Sequence, residues 1–289
     1  MTTVVPGTAD VRASPRLPVP RFLRSGEGAL GLVLFTLIVA TALIGPLVAP
    51  HPLGAPIGPP GSPPGHGALL GTDILGRDVF SRVLDGGVSV LWLSAATMAL
   101  TYAIGGTIGM AAGLSQSWLD SALMRVVDLF LVFPPLLLLL LLITGAGTGE
   151  GILVLGIVAV LFPGVARIVR TATLETATTG YVEAAVGRGE RTAAIMRREI
   201  FPNIVPVMLA DFGVRFSAAI VLAASVNFLG LGAKPPTANW GLMVAENRLI
   251  IGSNLWAVLV PAAMLGLLTV SVNLLGDAYV RSIRRGGGA

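Results

Sequence analysis

Residues 129–149 read LFLVFPPLLLLLLLITGAGTG, twenty-one successive positions without an acidic or basic side chain. The hydrocarbon core of a bilayer is about 30 Å thick, and a helix needs about 20 apolar residues to cross it. The stretch therefore predicts a membrane-spanning helix, placed at 122–145. Its neighbours repeat the pattern: Ala29–Pro50, Gly86–Leu119, Gly151–Ala166, Phe216–Ala233 and Leu249–Gly276 also lack Asp, Glu, Lys and Arg. Six spans fit these runs, at 29–49, 88–112, 122–145, 151–170, 203–230 and 255–276. The expected fold class is an all-α integral membrane protein.

Composition agrees. Of 289 residues 54% are apolar and 12% charged, and mean hydropathy is +0.85. A soluble domain carries roughly 25% charge, so this chain could not cover a water-facing surface. A soluble enzyme, a disordered protein and a nucleic-acid module are excluded, despite a pI near 10.3. The absence of cysteine excludes disulfides, thiolate metal sites and thiol nucleophiles. The first apolar run is about twice as long as a signal-peptide core and lacks a small-residue cleavage site, so it reads as a retained helix.

Basic residues set the direction, because short cytoplasmic segments concentrate Arg and Lys. With both termini inside, the inner segments hold Arg12, Arg16, Arg21, Arg24, Arg125, Arg167, Arg170, Arg188, Arg191, Arg197, Arg198, Arg281, Arg284 and Arg285. The outer segments hold only Arg77, Arg82, Lys234 and Arg248. Fourteen against four places the N- and C-termini in the cytoplasm.

Three connections are long. Residues 50–67, PHPLGAPIGPPGSPPGHG, are too rich in Pro and Gly for regular structure. In the following LLGTDILGRDVFSRVLDGG (69–87), Leu75, Val79, Phe80, Val83 and Leu84 share one helical face, and Arg77, Asp78, Ser81, Arg82 and Asp85 the other. That pattern predicts a short amphipathic helix lying in the outer interface, with Asp78 and Arg82 paired at i,i+4. The cytoplasmic connection at 171–202 predicts helix over Thr171–Ala185, a break at Gly187 and Gly189, and helix from Glu190 to Ile200, ended by Pro202. It forms a rigid projection suited to a partner in the cytoplasm. The external segment at 230–254 reads as a turn-rich cap or a partly inserted segment.

Catalytic chemistry has no foothold. The only histidines, His51 and His66, sit in the Pro- and Gly-rich loop, and no HExxH, GxSxG or GxxxxGK[ST] pattern exists. The chain is thus expected to be no enzyme and to drive no transport unaided. Asp211 and Arg215 form the one opposite-charge pair expected deep in a span, roughly 12 and 18 Å from an entry near Asn203. Charges at that depth face protein or a water-filled path, not lipid. The pair is either self-neutralised and structural, or part of a translocation path.

Glu183-Ala184-Ala185, followed by Gly189 and then by Pro202 thirteen residues on, resembles the EAA signature of ABC-importer permeases. LLGTDILGRDVFSRVLDGG (69–87), SWLDSALMRVVDLFLVFP (117–134), FLGLGAKPPTANWG (228–241) and NLLGD (273–277) narrow the likeness. Together they are similar to the second permease subunit of dipeptide, oligopeptide and nickel importers. The resemblance implies a type I ABC importer transmembrane domain with an extra N-terminal helix, in a bacterial cytoplasmic membrane. It divides the chain into a cytoplasmic tail (1–28), a first helix with external loop (29–87), the transmembrane domain proper (88–277, with the coupling loop at 171–202) and a second cytoplasmic tail (278–289). Implied partners are a homologous permease forming a heterodimer, two ATP-binding subunits or one fused ATPase, and an external solute-binding protein or lipoprotein. ATP and Mg would sit on the ATPases and no cofactor on this chain. By position, Glu183, Ala184, Ala185 and Gly189, flanked by Arg188 and Arg191, would dock on an ATPase. The rival reading, a self-sufficient channel or secondary transporter, calls for internal repeats or buried acids, and the sequence supplies neither.

Overall fold

The computed structural model describes residues 25–65, 67–115, 117–147, 149–232 and 237–286, with side chains on the last helix through Ser282. Arg12, Arg16, Arg21 and Arg24 of the N-terminal tail, His66, Lys234 and the side chains of Arg284 and Arg285 lie outside the described residues.

Ten α-helices are present among the described residues: α1 (Gly26–Val48), α2 (Val79–Ser115), α3 (Trp118–Val132), α4 (Pro135–Ala146), α5 (Glu150–Ala177), α6 (Gly180–Gly187), α7 (Thr192–Ile195), α8 (Phe201–Phe228), α9 (Trp240–Asn247) and α10 (Trp256–Gly286). Five segments are long and apolar enough to span a membrane: α1, α2, α5, the continuous run from Thr192 to Phe228, and α10. The span predicted at 122–145 falls instead on two helices, α3 and α4, bent by 92° at their junction, and the count reaches six when this pair is taken as one span. The cause is Pro134-Pro135. A proline pushes the residue before it out of the α region, and here both Phe133 (ψ 137°) and Pro134 (ψ 132°) are extended. Pro135 then opens α4, where its missing N–H costs nothing.

The tightest seam joins α2 to α5. Gly105, Gly109 and Gly113 recur every fourth residue on α2. A Cβ on them would lie 2.7 Å from the Phe162 carbonyl oxygen, 2.6 Å from that of Ala166 and 2.7 Å from the Thr173 Cβ. Small residues at this spacing let two backbones touch, and in lipid such packing replaces the hydrophobic effect as the force between helices. On the other side α1 packs against α2 and α10.

Two loop expectations need correction. Residues 75–85 do not form an interfacial amphipathic helix. The helix starts at Val79 as the first turns of α2, and Arg77, Asp78, Ser81 and Arg82 are buried. Their supposed solvent face is covered by α9, the helix within the external cap, whose Trp240 is fully buried and donates its indole N–H to the Val83 carbonyl at 2.8 Å. Asp78 and Arg82 are accordingly not an ion pair. Pro202, in turn, does not end a helix. A π-helical turn, Met196–Ile200, carries α7 straight into α8, with the Phe201 N–H donating to the Met196 carbonyl. The widened turn absorbs the hydrogen bond that Pro202 cannot donate.

Candidate functional site

One end of the bundle carries the connection between α5 and α8, and is called the loop end below. The opposite end carries residues 49–78 and α9, and is called the cap end. Chemistry-bearing residues gather at the loop end, near the middle of the spans and at the cap end.

At the loop end, helix α5 stops at Ala177, earlier than the expected Ala185, and a turn at Thr178-Thr179 starts α6. Val182 and Ala185 are buried with Val165, Val169 and Ala172 of α5 and with Ile195, Ile200 and Ile204. The opposite face is open. Glu183 and Ala184 are exposed, as are Tyr181 (43%) and Val186 (56%). The helix closes in a Schellman turn: Gly189 N–H donates to the Val186 carbonyl at 2.9 Å and Glu190 N–H to that of Ala185 at 3.2 Å. Gly189 holds φ at +75°, a conformation that strains other residues, although open space surrounds it. Arg188 is exposed and donates to Glu190 at 2.6 Å, and exposed Arg191 occupies the N-cap of α7. The expected set thus lies on one projection, with Ala185 as its anchor and the others on its surface.

Within the spans, Arg215 Nε donates to Asp211 Oδ2 at 3.0 Å, as the i,i+4 spacing predicts. The sequence reading missed the two other members of this group. Tyr102 of α2 donates its hydroxyl to the same Asp211 oxygen at 3.0 Å, and the Arg215 guanidinium occupies the space a side chain at Gly164 of α5 would need. Nearer the loop end, Arg170 donates to both oxygens of Asp120 at 2.6 Å, and Arg167 to Asp128 at 2.7 Å. These pairs tie α5 to α3 around a polar cavity of about 430 Å³. Arg167 and Arg170 were read only as orientation signals. Their partners stand eight residues apart on one face of α3, and that spacing was the available clue.

The cap end holds a network with no counterpart in the sequence reading. Asp73 accepts from Arg77 Nε at 2.6 Å, while Glu246 of α9 accepts from Arg77 at 2.9 Å and from Arg82 at 3.0 Å. Asn247 accepts from the Ile74 N–H at 3.0 Å, and Asn254 donates to the Leu70 and Thr72 carbonyls at 2.9 and 3.0 Å. Residues 69–78 are thereby locked onto α9 and the segment after it.

Residues 105–285 match the family described as binding-protein-dependent transport system inner membrane component. The chain is 34% identical over 271 residues to the di/tripeptide transport system permease protein DppC of Pseudomonas aeruginosa, covering 90% of this chain and 89% of the relative. It is 33% identical over 272 residues to a protein of Brucella suis provisionally named as a peptide transport system permease, covering 93% and 91%. The inward-facing MetNI methionine ABC transporter superposes with a TM-score of 0.57 at 20% identity, covering 68% of this chain and 94% of that one. The fold expected from the sequence, an all-helical ABC importer membrane domain, is the fold found, and the chain belongs to the family of inner membrane components of binding-protein-dependent transport systems.

Proposed function

We propose that this permease forms half of a translocation path for peptides or peptide-like solutes, and that α6 transmits the work of a cytoplasmic ATPase to it. The observation that carries the reading is the outer face of α6. Tyr181 and Val186 are exposed apolar side chains on a projection whose inner face is already fully packed. An apolar surface held rigid by Val182, Ala185 and the Gly189 turn suits a protein partner, with Glu183, Arg188 and Arg191 at its rim. The peptide assignment is supported by the names of the relatives.

In this reading the loop end and both termini face the cytoplasm. The partners are a homologous permease, ATPases that bind ATP and Mg, and an external binding protein that delivers the solute. The transmembrane domain occupies 88–277 and the coupling loop 171–202. ATP binding draws the ATPases together, α6 moves with them, and α5 and α8 carry the motion into the spans. Asp211 and Arg215 line the path, with Tyr102 holding the carboxylate so that Arg215 keeps its orientation.

The test is Gly189→Val in the assembled transporter. The β-branched residue is strained at φ +75°, so the turn reshapes and α6 loses its pose. The subunit is expected to reach the membrane, but ATPase co-purification and solute-stimulated hydrolysis should fall together. Normal uptake with normal stimulation would refute the coupling role.

A further inference from the structure

The loop-end half of α5 carries a stripe that is partly covered at Val160 and Gly164 and exposed at Arg167, Thr171 and Glu175, spaced by three or four residues. Arg215 sits on Gly164, Arg167 meets Asp128, and Arg170, beside the stripe, meets Asp120. Three Arg–Asp pairs therefore descend along one helix, from the middle of the bundle to the loop end, within roughly 10 Å at 1.5 Å per residue. Arg167 lies about 26 Å along a helix that opens at Glu150, within one helical turn of the inner edge of a hydrocarbon core of about 30 Å. Yet Arg167 and Asp128 are each more than half exposed in the isolated chain. Together with Asp120 and Arg170 they line one polar cavity. It faces water or the other permease.

We infer that these pairs are an exchange ladder for zwitterionic solutes. Each Arg–Asp pair is a neutral, preformed site, and a peptide carries one ammonium and one carboxylate. The solute carboxylate replaces Asp128 at Arg167 while its ammonium takes Asp128, so neither the pair nor the solute is left with an unmatched charge. Successive pairs repeat the exchange, and the 430 Å³ cavity between Asp120, Asp128, Arg167 and Arg170 is the last station before release. The exposed pair exchanges readily because its desolvation is incomplete, whereas a closed pair would hold the solute. This inference rests on the peptide-permease reading.

The experiment uses the complete transporter in vesicles. The chain contains no cysteine, so Thr171→Cys, beside the pair but not part of it, can be the sole thiol once partner cysteines are removed. A charged, membrane-impermeant thiol reagent added from the loop-end side should label it, and dialanine delivered by the binding protein with ATP should slow the labelling. In parallel, uptake of dialanine by Asp128→Asn, Arg167→Gln and the combined variant should fall about tenfold or more, as for loss of a charge-assisted hydrogen bond. ATP hydrolysis should remain stimulated by the binding protein. Absence of labelling beside a labelled Arg188→Cys control would place the stripe against the partner permease and overturn the ladder. Wild-type uptake by the combined variant would overturn it too, leaving a self-neutralised structural pair. If the wild-type complex imports no dialanine although Thr171→Cys is labelled, the peptide reading fails and the ladder falls with it, whereas wild-type import unchanged in the combined variant overturns the ladder alone.

Discussion

The cap end and the loop end contain the same chemical ingredients: two arginines and two carboxylates. At the cap, Asp73, Arg77, Arg82 and Glu246 have side-chain exposures between 0 and 12%. At the loop end the Asp128–Arg167 pair is 55 and 56% exposed. Glu246 also serves two arginines with one oxygen, whereas Asp120 and Asp128 each serve one. Burial and sharing convert one set into a clasp that must stay whole. The other set remains separable pairs whose partners can be replaced. In the proposed reading, the water left around a group, and not its charge alone, separates a structural clasp from a site that handles solute.

The sharpest way to break this comparison is Glu246→Ala. It leaves Asp73 as the one carboxylate facing two buried arginines, and removing one partner of such a group costs about 3–5 kcal/mol. Thermal unfolding of the detergent-solubilised complex should drop by several degrees, with less subunit in the membrane. An unchanged transition would mean that water already reaches the clasp. The half-buried Asp211–Arg215 pair should fall between the extremes. Arg215→Ala is expected to lose about 1.5–3 kcal/mol, the scale of a charged hydrogen bond, to assemble, and to transport poorly. Adding Asp211→Ala separates the roles: restored uptake would make the pair structural, and continued failure keeps Arg215 in the path. The smallest stability effect belongs to Arg188→Gln on the exposed α6 turn. Surface pairs contribute about 0.2–1 kcal/mol, so a shift as large as that of Glu246→Ala would erase the distinction between the ends.

The spans were legible because hydrocarbon imposes a one-dimensional rule: about 20 residues without charge. The same rule hid the bend at Phe133-Pro134-Pro135, since a continuous apolar run gives no sign that its two halves point in different directions. The amphipathic reading of 75–85 assigned the polar side chains to solvent, the ordinary outcome for an isolated helix, whereas Leu75, Arg77 and Asp78 precede α2 and Arg77, Asp78, Ser81 and Arg82 are buried. Glu246, some 164 residues beyond Arg82, reverses the assignment, and no local pattern connects the two. On α6, the turn at Gly189 was readable from glycine chemistry. The exposure of Tyr181 and Val186 was not, because an apolar residue beside a break looks the same whether it faces a core or a partner. Gly105, Gly109 and Gly113 were visible every fourth residue all along, and a search for helix-packing patterns would have found the α2–α5 seam.

The π-helical turn at Met196–Ile200 has a geometric consequence for the projection it supports. Each residue of an α-helix advances the chain by about 100°, and a π turn amounts to one residue inserted into that winding. The azimuth of α7 about the axis of α8 is therefore set by a single surplus position. Deleting one residue between Met196 and Ile200 would let the strand of hydrogen bonds close in α register and swing everything N-terminal to it by about 100°. The turn is a one-residue gear between the spans and the surface that would grip the motor.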